Sequence, residues 1–255
     1  MKRIDLNCDM GELAGMVADG SQAKLMGFIT SANVACGGHA GDAEMMRATI
    51  EQARDAGVAL GAHPGFEDRA NFGRIELNLT SEEIAASLHR QLMALEEIAT
   101  SCNVRVVHVK PHGALYNQAA RDAGIARAIA EGVARWKKDV VLVGLAGSVM
   151  LEEFRNAGFA VAAEAFADRR YERDGSLRSR KFVDALLGGP EEAAAQALRI
   201  VQQGSVLSLT GDEVPLEAQT ICIHGDTPGA LEIAEAVNKT LRGAGIKPRA
   251  LAIVV

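Results

Sequence analysis

The sequence predicts an α/β barrel built as one domain over residues 1–255, and three observations predict it. Short apolar runs alternate with longer stretches of helical periodicity, which implies parallel strands joined by helical crossovers. The length of 255 residues suits one (β/α) barrel, a fold of about 250 residues. Apolar residues make up 48% of the chain but aromatics only 4%, and such a chain suits helices on a parallel sheet better than an aromatic-rich sandwich. Seven or eight strand–helix units can close into a barrel, and an open doubly wound sheet is the alternative.

The strand candidates are residues 2–8, 29–36, 57–62, 104–110, 140–145, 159–165 and 219–224, with an eighth extended run at 249–255. Residues 81–102 place Ile84, Leu88, Leu92, Leu95 and Ile98 on one helical face, and Thr80 with Glu83 forms a capping box before them. Residues 121–136 repeat Ile125, Ile129 and Val133; residues 227–245 repeat Leu231, Ala234, Val237 and Leu241, with Pro228 where a first helical residue should stand. The stretches 64–79, 166–189 and 204–218 read as irregular and are long for connections, a property shared by many functional loops. There is no internal repeat, low-complexity segment or linker to divide the chain.

Composition also bounds function. A net charge of −6 argues against nucleic acid or an anionic membrane as partner. No apolar run approaches the length of a membrane span or a signal peptide. The four cysteines, Cys8, Cys36, Cys102 and Cys222, lack Cys-x-x-Cys spacing, so a reduced, cytoplasmic protein is expected.

The informative pattern is parity, because alternate residues of a strand face opposite sides. Ile4, Leu6 and Cys8 oppose Asp5, Asn7 and Asp9; Val107 and Val109 oppose His108, Lys110 and His112; Val161, Ala163 and Ala165 oppose Ala162 and Glu164; Ile221 and Ile223 oppose Cys222, His224 and Asp226. The apolar side can pack on helices, which leaves the polar side for the barrel interior. Five of the six histidines lie at or near strand C-terminal ends, where such barrels place their active sites. Asp5 alone reads as a structural hydrogen-bonding group, His89 as a surface residue, and the cysteines as small hydrophobes, although Cys222 shares the parity of His224.

These residues can ligate a divalent metal or act as general acids and bases, and Lys110 can stabilise an oxyanion or phosphate. The sequence contains no His-Glu-x-x-His, no Gly-x-Ser-x-Gly and no P-loop. The Gly-rich run from Gly37 to Asp42 can bind an anion or simply make a tight turn. Residues 166–181 form a basic stretch, read either as a solvated loop or as a lid whose arginines clamp a carboxylate or phosphate.

Seven segments carry a family resemblance. They are Asp5-Leu-Asn-Cys-Asp-Met-Gly-Glu12, Asn33-Val-Ala-Cys-Gly-Gly-His-Ala-Gly-Asp42, Gly61-Ala-His-Pro-Gly-Phe66, Phe72-Gly-Arg74, Val109-Lys-Pro-His-Gly-Ala-Leu-Tyr-Asn117, Glu164-Ala-Phe-Ala-Asp-Arg169 and Cys222-Ile-His-Gly-Asp226. Together they resemble the LamB/YcsF family, in that family's order and across nearly the whole chain. The resemblance implies an irregular seven-stranded (β/α) barrel similar to the glycoside hydrolase/deacetylase superfamily. It implies ATP-dependent opening of the lactam 5-oxoproline to L-glutamate, with Mg-ATP as co-substrate and two partner subunits, B and C. Under this reading Asp9, Lys110, His112 and Glu164 are catalytic. Asn7, Asn33, Arg74, Arg169 and Arg178 bind substrate, while His39, His63, His224 and Asp226 hold a divalent metal. The base is Asp9, His112 or a metal-bound water. The alternatives are an ATP-independent, metal-dependent amidase or deacetylase, and a non-catalytic subunit that presents ligand to a partner.

Overall fold

The structure, a computed structural model, describes residues 2–251. Its elements begin β1 (Arg3–Met10), α1 (Ala14–Ala18), α2 (Ser21–Met26), β2 (Ser31–Ala35), α3 (Ala43–Ala56), β3 (Ala59–His63) and α4 (Ser81–Ser101). They continue with β4 (Val106–Val109), α5 (Gly113–Ala119), α6 (Ala123–Trp136), β5 (Val141–Leu145), α7 (Val149–Asn156), β6 (Ala160–Phe166) and α8 (Pro190–Gln203). The chain ends through β7 (Ser205–Leu207), β8 (Glu213–Pro215), β9 (Thr220–Cys222), α9 (Ala230–Gly243) and β10 (Lys247–Pro248).

Strands β1 to β6 and β9 form a parallel sheet, and pairing of β1 with β9 closes it into a seven-stranded barrel. This is the predicted fold, and the open-sheet alternative is ruled out by the closure. Local sequence sets the helix boundaries. Thr80 accepts from the Glu83 N–H while Glu83 reaches back to the Thr80 N–H, so the capping box satisfies two orphan donors of α4. Asp122 caps α6 with one carboxylate oxygen on two first-turn amides, and Asp42 caps α3 on the Met45 N–H. The apolar faces of α4 and α6 then bury Leu88, Leu92, Leu95, Ile129 and Val133 in a core that wraps the barrel.

Register carries the parity around the barrel. Asp9 pairs with Asn33, Asn33 with Gly61, Gly61 with His108, and His108 with Val141, so these residues face the same interior. The polar side of β1 is thus buried, as expected. On β5 and the first half of β6 the interior turns apolar, with Val141, Val143 and Ala162 as a small separate cluster. Gly61 makes room for the layer: a Cβ there would lie 2.0 Å from His108 Nε2.

Four expectations change. Helix α9 starts at Ala230 after a left-handed Gly229, so Pro228 stands before the helix and not in its first turn. The stretch 204–218 contains the antiparallel hairpin β7–β8, held apart from the barrel sheet. Residues 249–251 are not strand, although the Arg249 N–H still donates to the Ile4 carbonyl; the rest of the run 249–255 lies outside the described residues. His89 is half-buried on α4, not on the surface.

Gly61→Ala should destabilise the fold by about 1–3 kcal/mol, because overpacking here displaces a hydrogen-bonded histidine and not a flexible tip. Urea unfolding measures it. A cost no larger than that of an exposed Gly→Ala change would show that the interior layer is loose.

Candidate active site and metal-ligating cluster

The floor of the site is an ion network inside the barrel. Lys110, one residue past β4, places its Nζ 2.9 Å from Asp9 Oδ1 and 2.9 Å from Glu164 Oε1. Burial alone would lower the Lys110 pKa, but the Asp9 and Glu164 carboxylates raise it well above its ordinary value. Burial likewise opposes ionisation of Asp9, yet His63 and Lys110 hold it well below the usual carboxylate range. Asn7 and Asn33 brace these charges. Asn33 Nδ2 donates to Asn7 Oδ1 at 2.8 Å and to Asp9 Oδ1 at 2.9 Å, and Asn7 Nδ2 donates to Glu164 at 2.9 Å and to Thr220 at 2.7 Å. His108 Nε2 lies 2.7 Å from Asn33 Oδ1 and is kept neutral, its pKa pushed down to about 3 mainly by burial. Below them Asp5 accepts from Thr30, Ser31 and Thr220 hydroxyls, the structural role expected for it.

Above this floor sit Glu12, His39, His63 and His112, whose ligand atoms lie within 4.8 Å of one another. Strand β3 ends in His63, α5 begins after His112, and the turns following β1 and β2 bring Glu12 and His39. Two carbonyls decide the tautomers. His63 Nδ1 lies 2.7 Å from the Lys110 carbonyl and His112 Nε2 lies 2.9 Å from the Phe72 carbonyl; a carbonyl only accepts, so both nitrogens carry hydrogen. In the neutral rings His63 Nε2 and His112 Nδ1 are then bare, and they face each other at 3.0 Å. Glu12 Oε1 completes the group, 3.2 Å from His112 Nδ1 and 2.9 Å from His39 Nε2. Two opposed lone pairs beside a carboxylate require a proton or a cation between them. Asp9 favours the proton by raising the His63 pKa against the effect of burial, whereas burial lowers those of His112 and His39, the latter to about 4. A donor set of imidazoles and one carboxylate fits a zinc-like divalent ion. The ring of His39 stacks on His112 at 3.6 Å, and Gly73 allows this packing, since its Cβ would lie 2.8 Å from that of His39.

A second acid–base unit lies opposite. Asp168, buried, accepts from the His224 backbone N–H at 3.2 Å and from Thr227 at 2.9 Å, and lies 2.9 Å from His224 Nδ1. Burial opposes its ionisation, but the charge and hydrogen bond of His224 pull its pKa down to about 2. In the neutral ring Nδ1 then carries the hydrogen and Nε2 is bare. Asp9, Glu12, His63, Lys110, His112 and His224 all line one cavity of about 1560 Å³ at the C-terminal ends of the strands.

The structure therefore gathers the expected catalytic residues but changes several roles. Lys110 has its donors engaged by Asp9, Glu164 and Cys222 Sγ (3.1 Å), so it orders the floor and offers no spare N–H to an oxyanion. Glu164 is buried beneath Lys110 and is absent from the cavity wall. Asn7 and Asn33, expected on substrate, spend their amides within the network. The four expected metal ligands divide: His39 and His63 join Glu12 and His112, and Asp226 pairs with Arg74 and Arg180. His224 pairs with Asp168 through Nδ1 and also belongs to a second group that could ligate a metal, with Asp9 and Cys222. Arg169 lines the cavity, but Arg178 turns away to Glu172 and Asp184. Glu12, Asp168 and Arg180 were missed as site residues. Asp168 shares the parity of Glu164 and was legible; Glu12 was not, because Gly11 with φ 71° breaks the alternation.

A model of the LamB/YcsF family matches residues 4–254. A protein from Chloroflexus aurantiacus, named as the A subunit of 5-oxoprolinase, is 50% identical, covering 98% of this chain and 99% of its own. One of the same name from Bacillus licheniformis is 45% identical over 98% and 99%. The crystal structure of the lactam utilization protein from Thermus thermophilus superposes with a TM-score of 0.90 at 43% identity, covering 98% of this chain and 100% of that one. A T48 deacetylase structure, at 15% identity, a TM-score of 0.50 and coverage of 97% and 87%, shares the fold.

Chain stripped with chelator, reloaded with Zn²⁺ and dialysed should retain about one equivalent of metal, as three converging N/O ligands imply. His63→Ala/His112→Ala should lose it and His224→Ala/Asp226→Ala should keep it. Loss in the second variant with retention in the first would restore the ligand set expected from sequence.

Proposed function

The chain belongs to the LamB/YcsF family, and on that premise we propose that it serves as the A subunit of an ATP-dependent 5-oxoprolinase, one catalytic domain that opens 5-oxoproline to L-glutamate with partner subunits B and C. The observation that carries the reading is the cavity itself. It sets a metal-ligating cluster, an Asp168–His224 pair and a buried arginine around one space.

The chemistry follows from the substrate. A five-membered lactam is a stabilised amide, so transfer of the ATP γ-phosphoryl to its oxygen makes the ring carbon electrophilic. Water adds there and the ring C–N bond breaks, with a proton from water ending on the departing nitrogen; a second water then cleaves the resulting acyl phosphate to the free carboxylate and inorganic phosphate. His224 is the group placed to take and return that proton, because Asp168 holds Nδ1 and Nε2 is bare. Asp9 is less suited than the sequence suggested: a carboxylate held so far below its ordinary pKa is a weak base. Asp9 and Lys110 instead fix the charge beneath the reacting carbon. Arg169 is buried in the wall with its Nε unpartnered and, among the described residues, no carboxylate within ion-pair distance, which suits the substrate carboxylate. A divalent ion held by Glu12, His63 and His112, with His39 on Glu12, would polarise the lactam carbonyl. The sequence has no P-loop, which is compatible with a nucleotide site completed by partners. No described helix is long and apolar enough to cross a membrane, in keeping with a cytoplasmic complex.

The metal-ligating cluster also supports a second reading, an ATP-independent, metal-dependent amidase. The two readings separate in one assay. The chain with subunits B and C and Mg-ATP should release glutamate, and the chain alone should do so very slowly. In the complex, His224→Gln and Asp168→Asn should each lower kcat by about 10²–10⁴, and Arg169→Ala should raise KM about tenfold to a hundredfold. Rapid turnover by the lone chain without ATP would favour the amidase; unaltered kcat in both His224 and Asp168 variants would remove this pair from the chemistry.

A further inference from the structure

At the cavity mouth one carboxylate is shared by two arginines from different loops. Arg74 follows β3, Arg180 follows β6 and Asp226 follows β9, so the contact bridges three of the seven strand ends. Both guanidiniums converge on the same oxygen: Arg74 Nη2 lies 2.5 Å and Arg180 Nη1 3.0 Å from Asp226 Oδ2. Arg74 is also steadied by the Phe72 ring, its guanidinium carbon 4.8 Å from the centroid. One carboxylate charge against two guanidiniums leaves the group cationic. The surroundings add to this, since Arg169 and Lys181 line the same wall and Asp168 is spent on His224 and Thr227. Asp174, on the same loop, turns back to the Ser176 N–H, and Arg121 across the cavity is matched by Glu76 at 2.7 Å. Glu152 and Glu217 also line the cavity, but among the described residues neither forms an ion pair with the two arginines. Arg74 and Arg180 with Asp226 thus make a net cationic group on the wall of a cavity of about 1560 Å³, larger than the roughly 300–1,000 Å³ that holds a typical small ligand.

We infer that Arg74 and Arg180 form a binding site for the phosphate groups of a polyphosphate, and that Asp226 occupies this site until the anion arrives. A phosphate presents three oxygens and close to two charges to paired guanidiniums, where Asp226 presents a single charge, with Oδ2 shared by both arginines and Oδ1 3.5 Å from Arg180 Nη2. The wall thereby divides by charge demand: buried Arg169 faces the singly charged carboxylate of a small substrate, and the mouth takes the multiply charged ligand. Displacement of Asp226 also frees the loops after β3 and β6 from each other, so anion binding and the shape of the mouth are linked. The inference deepens the proposed ATP-dependent reaction by placing its phosphate chain, and it is tested without turnover.

The test is calorimetric titration of the whole chain, freed of metal with chelator, in phosphate-free buffer of low ionic strength. Inorganic pyrophosphate should bind. Asp226→Asn should tighten it at least threefold by removing the competing charge, and Arg74→Gln/Arg180→Gln should weaken it at least tenfold. Arg74→Gln alone, at a side chain that is 43% exposed and tolerant of change, should weaken it by a smaller factor. Arg121→Gln should leave the affinity unchanged. ATP binding at least tenfold tighter than pyrophosphate assigns the site to a nucleotide, and equal affinity assigns it to the free polyphosphate. Unaltered affinity in the double variant, weaker binding in Asp226→Asn, or equal competition by 5-oxoproline would each overturn the inference. Failure of the oxoprolinase reading itself would appear separately, as absent glutamate release in the reconstituted complex.

Discussion

An ammonium group at the axis of the barrel is the constraint on which the rest depends. Lys110 is 3% exposed, and a lone charge there would be neutralised or expelled. It stays ionised because Asp9 and Glu164 each approach to 2.9 Å. Those carboxylates must therefore come from β1 and β6 at matching depth, with β4 between them in the circuit, which only closure of β1 on β9 allows. Asn7, Asn33, Thr220 and His108 then satisfy the remaining polar atoms. Strand β5, which contributes nothing to this network, reverts to Val141 and Val143. The interior is polar around Lys110 and apolar along β5.

Function is layered outward from that floor. The Glu12 and histidine cluster rests on Asp9 through His63, whose Nε2 lies 3.3 Å from Asp9 Oδ2. The Asp168–His224 pair rises from β6 and β9 on the other side, and the arginines come from loops above both. Strand β3 holds His63 and the short segments just past β4 and β9 hold His112 and His224, while the rim, which must admit ligand, is built from longer loops. The two carbonyls that orient His63 and His112 show how backbone geometry alone can aim lone pairs at a common point.

Much of this was legible in the sequence, for a physical reason. A strand has period two, so polar residues at Asp5, Asn7 and Asp9, or at His108, Lys110 and His112, declare an inward face before any contact is known. The seven barrel strands were among eight extended runs read from the sequence, and the crossover helices were legible from their three-to-four-residue spacing of apolar residues. Parity tells which face a residue takes but not which residue it meets. Asn7 and Asn33 therefore looked like ligand contacts when they are braces, and His224 looked like a partner of His39 and His63 when Asp168 claims it. Loop residues carried still less information. Arg178 and Arg180 are two positions apart in one basic stretch, yet one pairs with Glu172 and Asp184 and the other reaches the cavity mouth. The start of α9 was misplaced because left-handed Gly229, a tertiary choice, overrode the preference of Pro228 for a first turn.

The central claim is that Lys110 exists to hold two carboxylates in place, and a double-mutant cycle on stability tests it most directly. Lys110→Met strands Asp9 and Glu164 as uncompensated buried charges and should cost about 3–5 kcal/mol in denaturant unfolding. Glu164→Gln in the Lys110→Met background should recover part of that loss, giving a coupling of about 1 kcal/mol or more between the two positions. If the two substitutions prove additive, Lys110 and Glu164 do not depend on each other, and the barrel interior is not organised around this charge.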